Sequence, residues 1–225
     1  MNAINRYIQL TKESLGDFSQ FYGELRLSFY FIIFLMMIST MKDLVILDTL
    51  SMQSIILEIL CYFLLMVFTV NIILVRKAID LNQPKESVIA NMLTFALTGF
   101  CTLVIVGVGL IFFVIPGILA LLYLYLAPLI SIYEDEEGLA PLKKSRFLIG
   151  KSELFLTFLL FVIPLLSQFV LLKAANYFDM TFKIIFLTGS SLFLAFIHVI
   201  VTLMSVRLYY FLRSIRISSL VSEIN

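Results

Sequence analysis

The chain has 225 residues, of which 61% are hydrophobic and only 14% charged, with a mean hydropathy of +1.06. Such values lie outside the range of soluble globular domains and mark an integral membrane protein. The formal charge of +1 singles out no acidic partner, so the distribution of charge matters more than its sum; the partner expected is the lipid bilayer, and no nucleic acid. No polar stretch is long enough to build a core of its own, so one domain is expected, a transmembrane bundle over residues 1–225.

Met1 to Glu24 reads as an interfacial amphipathic helix, with Ile4, Ile8, Leu15, Phe18, Phe21 and Leu25 near one face and charges opposite. It lacks the short apolar core and small-residue site of a cleavable signal peptide, so the first span is expected to target the chain. The spacing predicts spans over about 25–41 and 53–75, the second stopping at Arg76-Lys77. Asn82-Gln83-Pro84 then signals a turn.

From Ser87 to Tyr133 there is no charged residue for 47 positions, with Ile115-Pro116-Gly117 near the middle. At about 1.5 Å per helical residue this stretch covers roughly 70 Å, enough for two crossings of a hydrocarbon layer about 30 Å thick. It therefore reads as a hairpin bent at Pro-Gly, with spans over about 88–114 and 117–133. The acidic run Glu134 to Glu137 follows, then Lys143, Lys144, Arg146 and Lys151. Leu139 to Gly150 is expected to form an amphipathic connector helix, with Pro141 near its start and Gly150 near its end. Spans over about 154–172 and 184–206 complete an all-α, polytopic set of six transmembrane helices.

The threading follows from the basic residues, which are retained on the cytoplasmic side near span ends. With the N-terminus inside, 13 of the 16 Lys and Arg fall in inner segments and only Lys42, Lys173 and Lys183 in outer loops. Both termini are thus expected in the cytoplasm. Cys61 and Cys101 fall inside apolar segments, where a thiol behaves as a small hydrophobe.

The run Leu103-Val104-Ile105-Val106-Gly107-Val108-Gly109, then Val114-Ile115-Pro116-Gly117-Ile118, Ala127-Pro128-Leu129, Gly138, Leu142 and Lys144-Ser145-Arg146 resembles the YciC-like family of uncharacterised bacterial inner-membrane proteins. The ending Arg207-Leu208-Tyr209-Tyr210 with Arg213 also resembles that family. The likeness runs in order through most of the chain and is most specific in the hairpin. The four acids at Glu134 to Glu137 and the short outer loops depart from the family pattern. The resemblance implies a multi-pass protein of a Gram-negative inner membrane and brings no catalytic residues with it.

Motifs for chemistry are absent from the sequence. One histidine, His198, cannot supply a multi-histidine metal site, and no HExxH, GxSxG, Walker or GxGxxG arrangement occurs. No catalytic residue, cofactor or metal is therefore expected, and the chain reads as a non-enzyme. Gly107 and Gly109 are expected to serve close helix packing.

In-membrane polar residues remain as candidate site residues. Glu58, about five residues into the second span, is either a proton or cation site facing a cavity or a carboxyl near the interface partnered by a hydroxyl or water. The stripe Glu58, Cys61, Leu65, Thr69 suggests that its face looks into the bundle. His198 lies on the seam Ser191, Ala195, His198, Thr202, Ser205, as a structural hydrogen-bonding group or a proton relay. Span three carries a similar face, Asn91, Thr94, Thr98, Cys101 and Gly109, so spans two, three and six are expected to meet. Gln168 matches Glu58 in depth and is its candidate partner.

Pro116, Pro128 and Pro164 each remove a backbone donor, so kinks are expected. The match between Phe113-Val114-Ile115-Pro116 and Phe161-Val162-Ile163-Pro164 raises an internal repeat with broken helices as an alternative. Lys143, Lys144 and Arg146 are candidate contacts for anionic lipid or a protein partner, against the alternative of a solvated connector. The family likeness implies a role in membrane or envelope organisation. A small transporter or lipid-handling protein and an accessory subunit of a membrane complex are the other classes; the sequence does not fix the oligomeric state.

Overall fold

The computed structural model describes residues 3–45, 52–82, 84, 86–136, 139–151 and 153–224; the side chains of residues 3, 40–45, 52–55, 58, 172, 180–181 and 216–224 lie outside the described residues. Eight helices follow in order: α1 (Ala3–Val45), α2 (Met52–Leu81), α3 (Val88–Phe112), α4 (Val114–Leu124), α5 (Ala127–Tyr133), α6 (Ala140–Leu148), α7 (Leu154–Ala175) and α8 (Met180–Ile224). Among the described residues all regular structure is helical. Six segments are long and apolar enough to cross a membrane: Ile4–Ser39, Ile59–Leu81, Val88–Phe112, Val114–Tyr133, Leu154–Ala175 and Phe182–Ile215.

The amphipathic segment expected over residues 1–24 and the first span are parts of one helix. α1 has 43 residues and α8 has 45, so each is more than 60 Å long at about 1.5 Å per residue, roughly twice the hydrocarbon thickness. They run antiparallel, and α1 packs along α8 more extensively than any other pair of helices. The buried stripe on α1 is Leu10, Ser14, Asp17, Leu25, Ser28, Ile32 and Leu35, recurring at steps of three and four or their sums. Ile4, Ile8 and Leu15 face outward instead, so the apolar face expected on the first helix is divided. The bundle takes the stripe that contains Ser14 and Asp17. Asn71 Nδ2 donates to Ser28 Oγ at 2.5 Å and ties α2 to α1.

α5 is the centre of the core. Six of its seven residues, Ala127, Leu129, Ile130, Ser131, Ile132 and Tyr133, are buried; Leu129, Ile130, Ile132 and Tyr133 pack with Val70, Leu74, Leu156, Met204 and Tyr209 from α2, α7 and α8, and Ala127 with Leu124 and Leu142. α3 is the opposite case. Its buried positions are Thr98, Thr102 and Val106, while Leu93, Leu97, Phe100 and Leu103 are exposed. It packs on α4, α5 and α2, and α2 in turn packs on α8; α2 is therefore the element through which the faces expected to meet are joined.

The uncharged stretch does form a hairpin, but its bend is at Phe113. That residue alone is extended, at φ −153° and ψ 115°, and α4 starts immediately after it. Pro116 falls in the first turn of α4, where the missing N–H would be unpaired in any case. Pro128 likewise lies at the start of α5, after a break at Tyr125 and Leu126. Of the three prolines expected to kink helices, only Pro164 sits inside one. The four-residue match ending at Pro116 and Pro164 thus falls at a helix start and in a helix interior, which removes the internal repeat.

Gly109 and Gly117 explain how the arms close so tightly. A Cβ on Gly109 would stand 2.8 Å from Gly117 Cα, and one on Gly117 would stand 2.5 Å from Leu110 N. Nothing lies within 4 Å of a Cβ on Gly107. Of the two glycines expected to serve packing, Gly109 does so.

The segments expected on the inner side converge on one end of the bundle. Arg76 Nη1 lies 3.0 Å from Asp17 Oδ1, Lys77 Nζ 2.9 Å from Asp135 Oδ1 and 2.7 Å from Glu86 Oε1, and Arg213 Nε 3.9 Å from Glu134 Oε1. The N-terminal part of α1, the α2–α3 connection, the acidic run and the C-terminal part of α8 are therefore neighbours. The tip of the α3–α4 hairpin lies at the other end.

Candidate functional site

A cavity of about 490 Å³ opens among the apolar helices, between α1, α2, α3, α5, α7 and α8. Its wall on α2 is the ladder Cys61, Leu65, Thr69, Ile73, four-residue steps that keep one face inward over roughly 18 Å of helix. On α8 the wall is Leu194, His198, Val201, Thr202 and Ser205. Ser191 and Ala195, on the same seam, are fully buried in packing, so the seam is part contact and part cavity wall. Tyr62, Leu165 and Gln168 line the space while being well exposed, and they mark its mouth between α2 and α7. The volume and mainly apolar lining, with a few polar groups, are those of a site for a small or amphiphilic molecule.

His198 holds the polar centre of this wall. Its Nε2 lies 2.9 Å from Thr69 Oγ1, and Thr69 Oγ1 donates to the Leu65 carbonyl at 2.8 Å. A threonine hydroxyl has one proton to give. With that proton on Leu65 O, the imidazole donates Nε2–H to Thr69, which leaves Nδ1 as the acceptor. The same count applies lower down, where Ser205 Oγ donates to Val201 O at 2.8 Å and Tyr125 Oη, 3.0 Å away, donates to Ser205. Pro164, also on the wall, deprives the Leu160 carbonyl of its helical donor.

The candidate residues fare differently. His198 and Gln168 share this cavity, His198 within it and Gln168 at its mouth. The side chain of Glu58 lies outside the described residues; its backbone in α2 is one turn beyond Cys61 and Tyr62. Thr69, which His198 contacts, is about 16 Å farther along the helix axis than Glu58. The expected pairing of Gln168 with Glu58 therefore lies outside the described residues.

A second cavity, of about 410 Å³, lies at the end that carries both termini and is lined by Arg6, Glu13, Arg76, Asp80, Arg207 and Tyr210 among others. Arg207 grips Asp17 with both Nε and Nη2, the latter at 2.6 Å, and gives Nη1 to Glu13 at 2.7 Å. Arg76 bridges Asp17 to Asp80, its Nη2 lying 2.9 Å from Asp80 Oδ1. Arg6 stacks over Phe211 at 4.0 Å. Sequence reasoning missed this network, because Arg207 is 190 positions from Asp17 and 194 from Glu13. Asp17 on the otherwise packing stripe of α1 is the one local signal that could have suggested it.

The acidic run is used internally. Glu134 accepts from Lys144 and, at 2.6 Å, from Tyr209 Oη; Glu136 accepts from Lys144; Asp135 accepts from buried Lys77, which also donates to Ile132 O at 2.7 Å. Burial alone would raise the Glu134 carboxyl, but the bonds from Lys144 and Tyr209 and the nearby cations outweigh it and hold the group below its ordinary range. Those bonds to Glu134 and Glu136 hold the Lys144 ammonium above its ordinary value. On α6, Leu142, Ser145 and Leu148 are buried while Lys143, Arg146 and Phe147 face outward. Of the three candidate lipid or partner contacts, Lys144 is already committed to carboxylates.

No family model, curated protein or solved structure matches this chain. The functional reading therefore rests on the geometry of the cavity and of the charged end.

Proposed function

We propose that this is a non-enzymatic, multi-pass protein of a bacterial inner membrane, related to the YciC-like family, that helps to organise the membrane by holding a lipid acyl chain in its intramembrane cavity. The observation that carries this reading is the cavity itself, apolar over most of its wall and open between α2 and α7 at Tyr62 and Gln168. An acyl chain suits the apolar wall, and the mouth places its polar end against Gln168. Six helices long and apolar enough to cross a membrane support membrane residence.

Both termini lie in the cytoplasm in this reading, because the positively charged segments gather at their end of the bundle. The first half of α1 then follows α8 out of the hydrocarbon and presents Ile4, Ile8 and Leu15 to the inner interface. α6 is the cytoplasmic connector, and Lys143 and Arg146 meet anionic headgroups.

The test is native mass spectrometry of the purified protein with its co-purified lipid. Wild type is expected to retain bound lipid. Leu194→Trp, which fills the wall beside His198, is expected to lose it while keeping the thermal stability of the wild type. Equal lipid retention by a folded Leu194→Trp variant refutes the reading.

A further inference from the structure

The tip of the α3–α4 hairpin has a composition that no other connection at that end shares. From Leu103 to Leu122 there is no polar side chain, and the turn lies in the middle of that run. Ile111, Phe112, Phe113, Val114 and Ile115 are consecutive, large and apolar, and all are at least 63% exposed. The sequence between α1 and α2 instead has Asp48, after Lys42 and Asp43 near the end of α1, and that between α7 and α8 has Asn176 and Asp179, after Lys173 near the end of α7. Monomeric proteins do not present five such neighbours to water without a partner.

The backbone is equally unusual. In hydrocarbon each unpaired N–H or C=O is costly, so a turn survives there only when it is very short and largely satisfied. This turn has one non-helical residue. Phe113 N–H donates to Gly109 O at 2.8 Å, and Phe113 O accepts from Gly117 N–H at 3.1 Å. A helix start ordinarily leaves four donors unpaired; here Phe113 is bonded and Pro116 has none, which halves the number to those of Val114 and Ile115. The Gly109–Gly117 contact lets the arms meet so closely that no loop is needed.

We propose that the α3–α4 turn is buried in the hydrocarbon of the bilayer and packs against acyl chains as an apolar wedge, without emerging into water. Lipid is the occupant because the tip continues the exposed apolar surface of α3, including Leu97, Phe100 and Leu103, with no change of chemistry between arm and tip. The argument for lipid at the tip is independent of what fills the cavity.

The experiment is cysteine accessibility in a Cys61→Ser, Cys101→Ser background. Ile111→Cys, Phe113→Cys, Ile115→Cys and, as the exposed reference, Tyr177→Cys react with a membrane-impermeant maleimide in intact cells and in inverted vesicles. Thiolate is the reacting species and hydrocarbon disfavours it, so the three tip positions are expected to react at least about tenfold more slowly than Tyr177→Cys, from either face. They should react fully once the membranes are dissolved in SDS. Labelling at the rate of Tyr177→Cys from either face overturns the proposal. Should one tip variant not accumulate, the other two carry the test. Spin labels at the same positions should collide with oxygen but not with a water-soluble nickel chelate, and the reverse result overturns the proposal as well.

Discussion

Asp17 is the residue on which the charged end turns. Its carboxylate, buried on α1, faces both Arg207 and Arg76, so removing it takes a carboxylate from two guanidiniums at once, leaving Arg207 with Glu13 and Arg76 with Asp80. Losing charge-assisted hydrogen bonds of this kind costs about 1.5–3 kcal/mol. Asp17→Asn should therefore lower the unfolding temperature of the detergent-solubilised protein by several degrees, and an unchanged melting curve would show that the network contributes nothing. At His198 the expected result is spectroscopic. Nitrogen NMR should find the proton on Nε2, and Thr69→Val should remove that preference at a stability cost of about 1 kcal/mol. A proton already on Nδ1 in the wild type would contradict the bond order deduced from Thr69 and Leu65. Neither prediction could be made from sequence. His198 and Thr69 are each visible as polar residues on helical stripes, yet only folding brings positions 129 apart into contact.

The α3–α4 hairpin is where element-scale reasoning is sharpest. Gly107 and Gly109 look alike in the sequence, but a methyl group is free at the first and meets Gly117 backbone at 2.8 Å at the second. Gly109→Ala should destabilise the protein by about 1–3 kcal/mol, the usual cost of overpacking, whereas Gly107→Ala should leave the unfolding temperature unchanged. Equal effects would mean that the arms are not in register at Gly109. The hairpin was legible because a long uncharged run has no other stable use than crossing hydrocarbon. The position of its bend was not. Proline at the third residue of a helix and proline at a bend give the same letters, and the choice between them is made by which backbone donors the neighbouring arm can satisfy.

Across the whole molecule, the end that carries both termini is held by ion pairs, and this predicts a pH profile. Glu134, held below its ordinary 4.5, contributes stability that is fully present above that value and is lost as pH falls through the folded pKa. Lys144, held above its ordinary 10.5, contributes stability present below that value and lost as pH rises through the folded pKa. The unfolding temperature should hence be nearly level from about pH 6 to 9 and fall toward pH 4. Glu134→Gln should flatten that acid fall, as measured by thermal unfolding in detergent. An identical acid limb in the variant would assign it to other carboxylates.

The sequence by itself determined an all-helical chain with six segments long and apolar enough to cross a membrane, because hydrophobic length and charge spacing are local properties that hydrocarbon reads directly. Charge distribution also indicated which segments share a side, and their ion pairs at one end of the bundle agree with that grouping. Only the tertiary structure decided that α1 is continuous with its outward apolar face divided, that Lys144 is spent on Glu134 and Glu136, and that His198 and Gln168 border one cavity. These are properties of surfaces meeting across long separations in the chain. Shape complementarity and backbone satisfaction select them, and neither is written in the order of residues along a single helix.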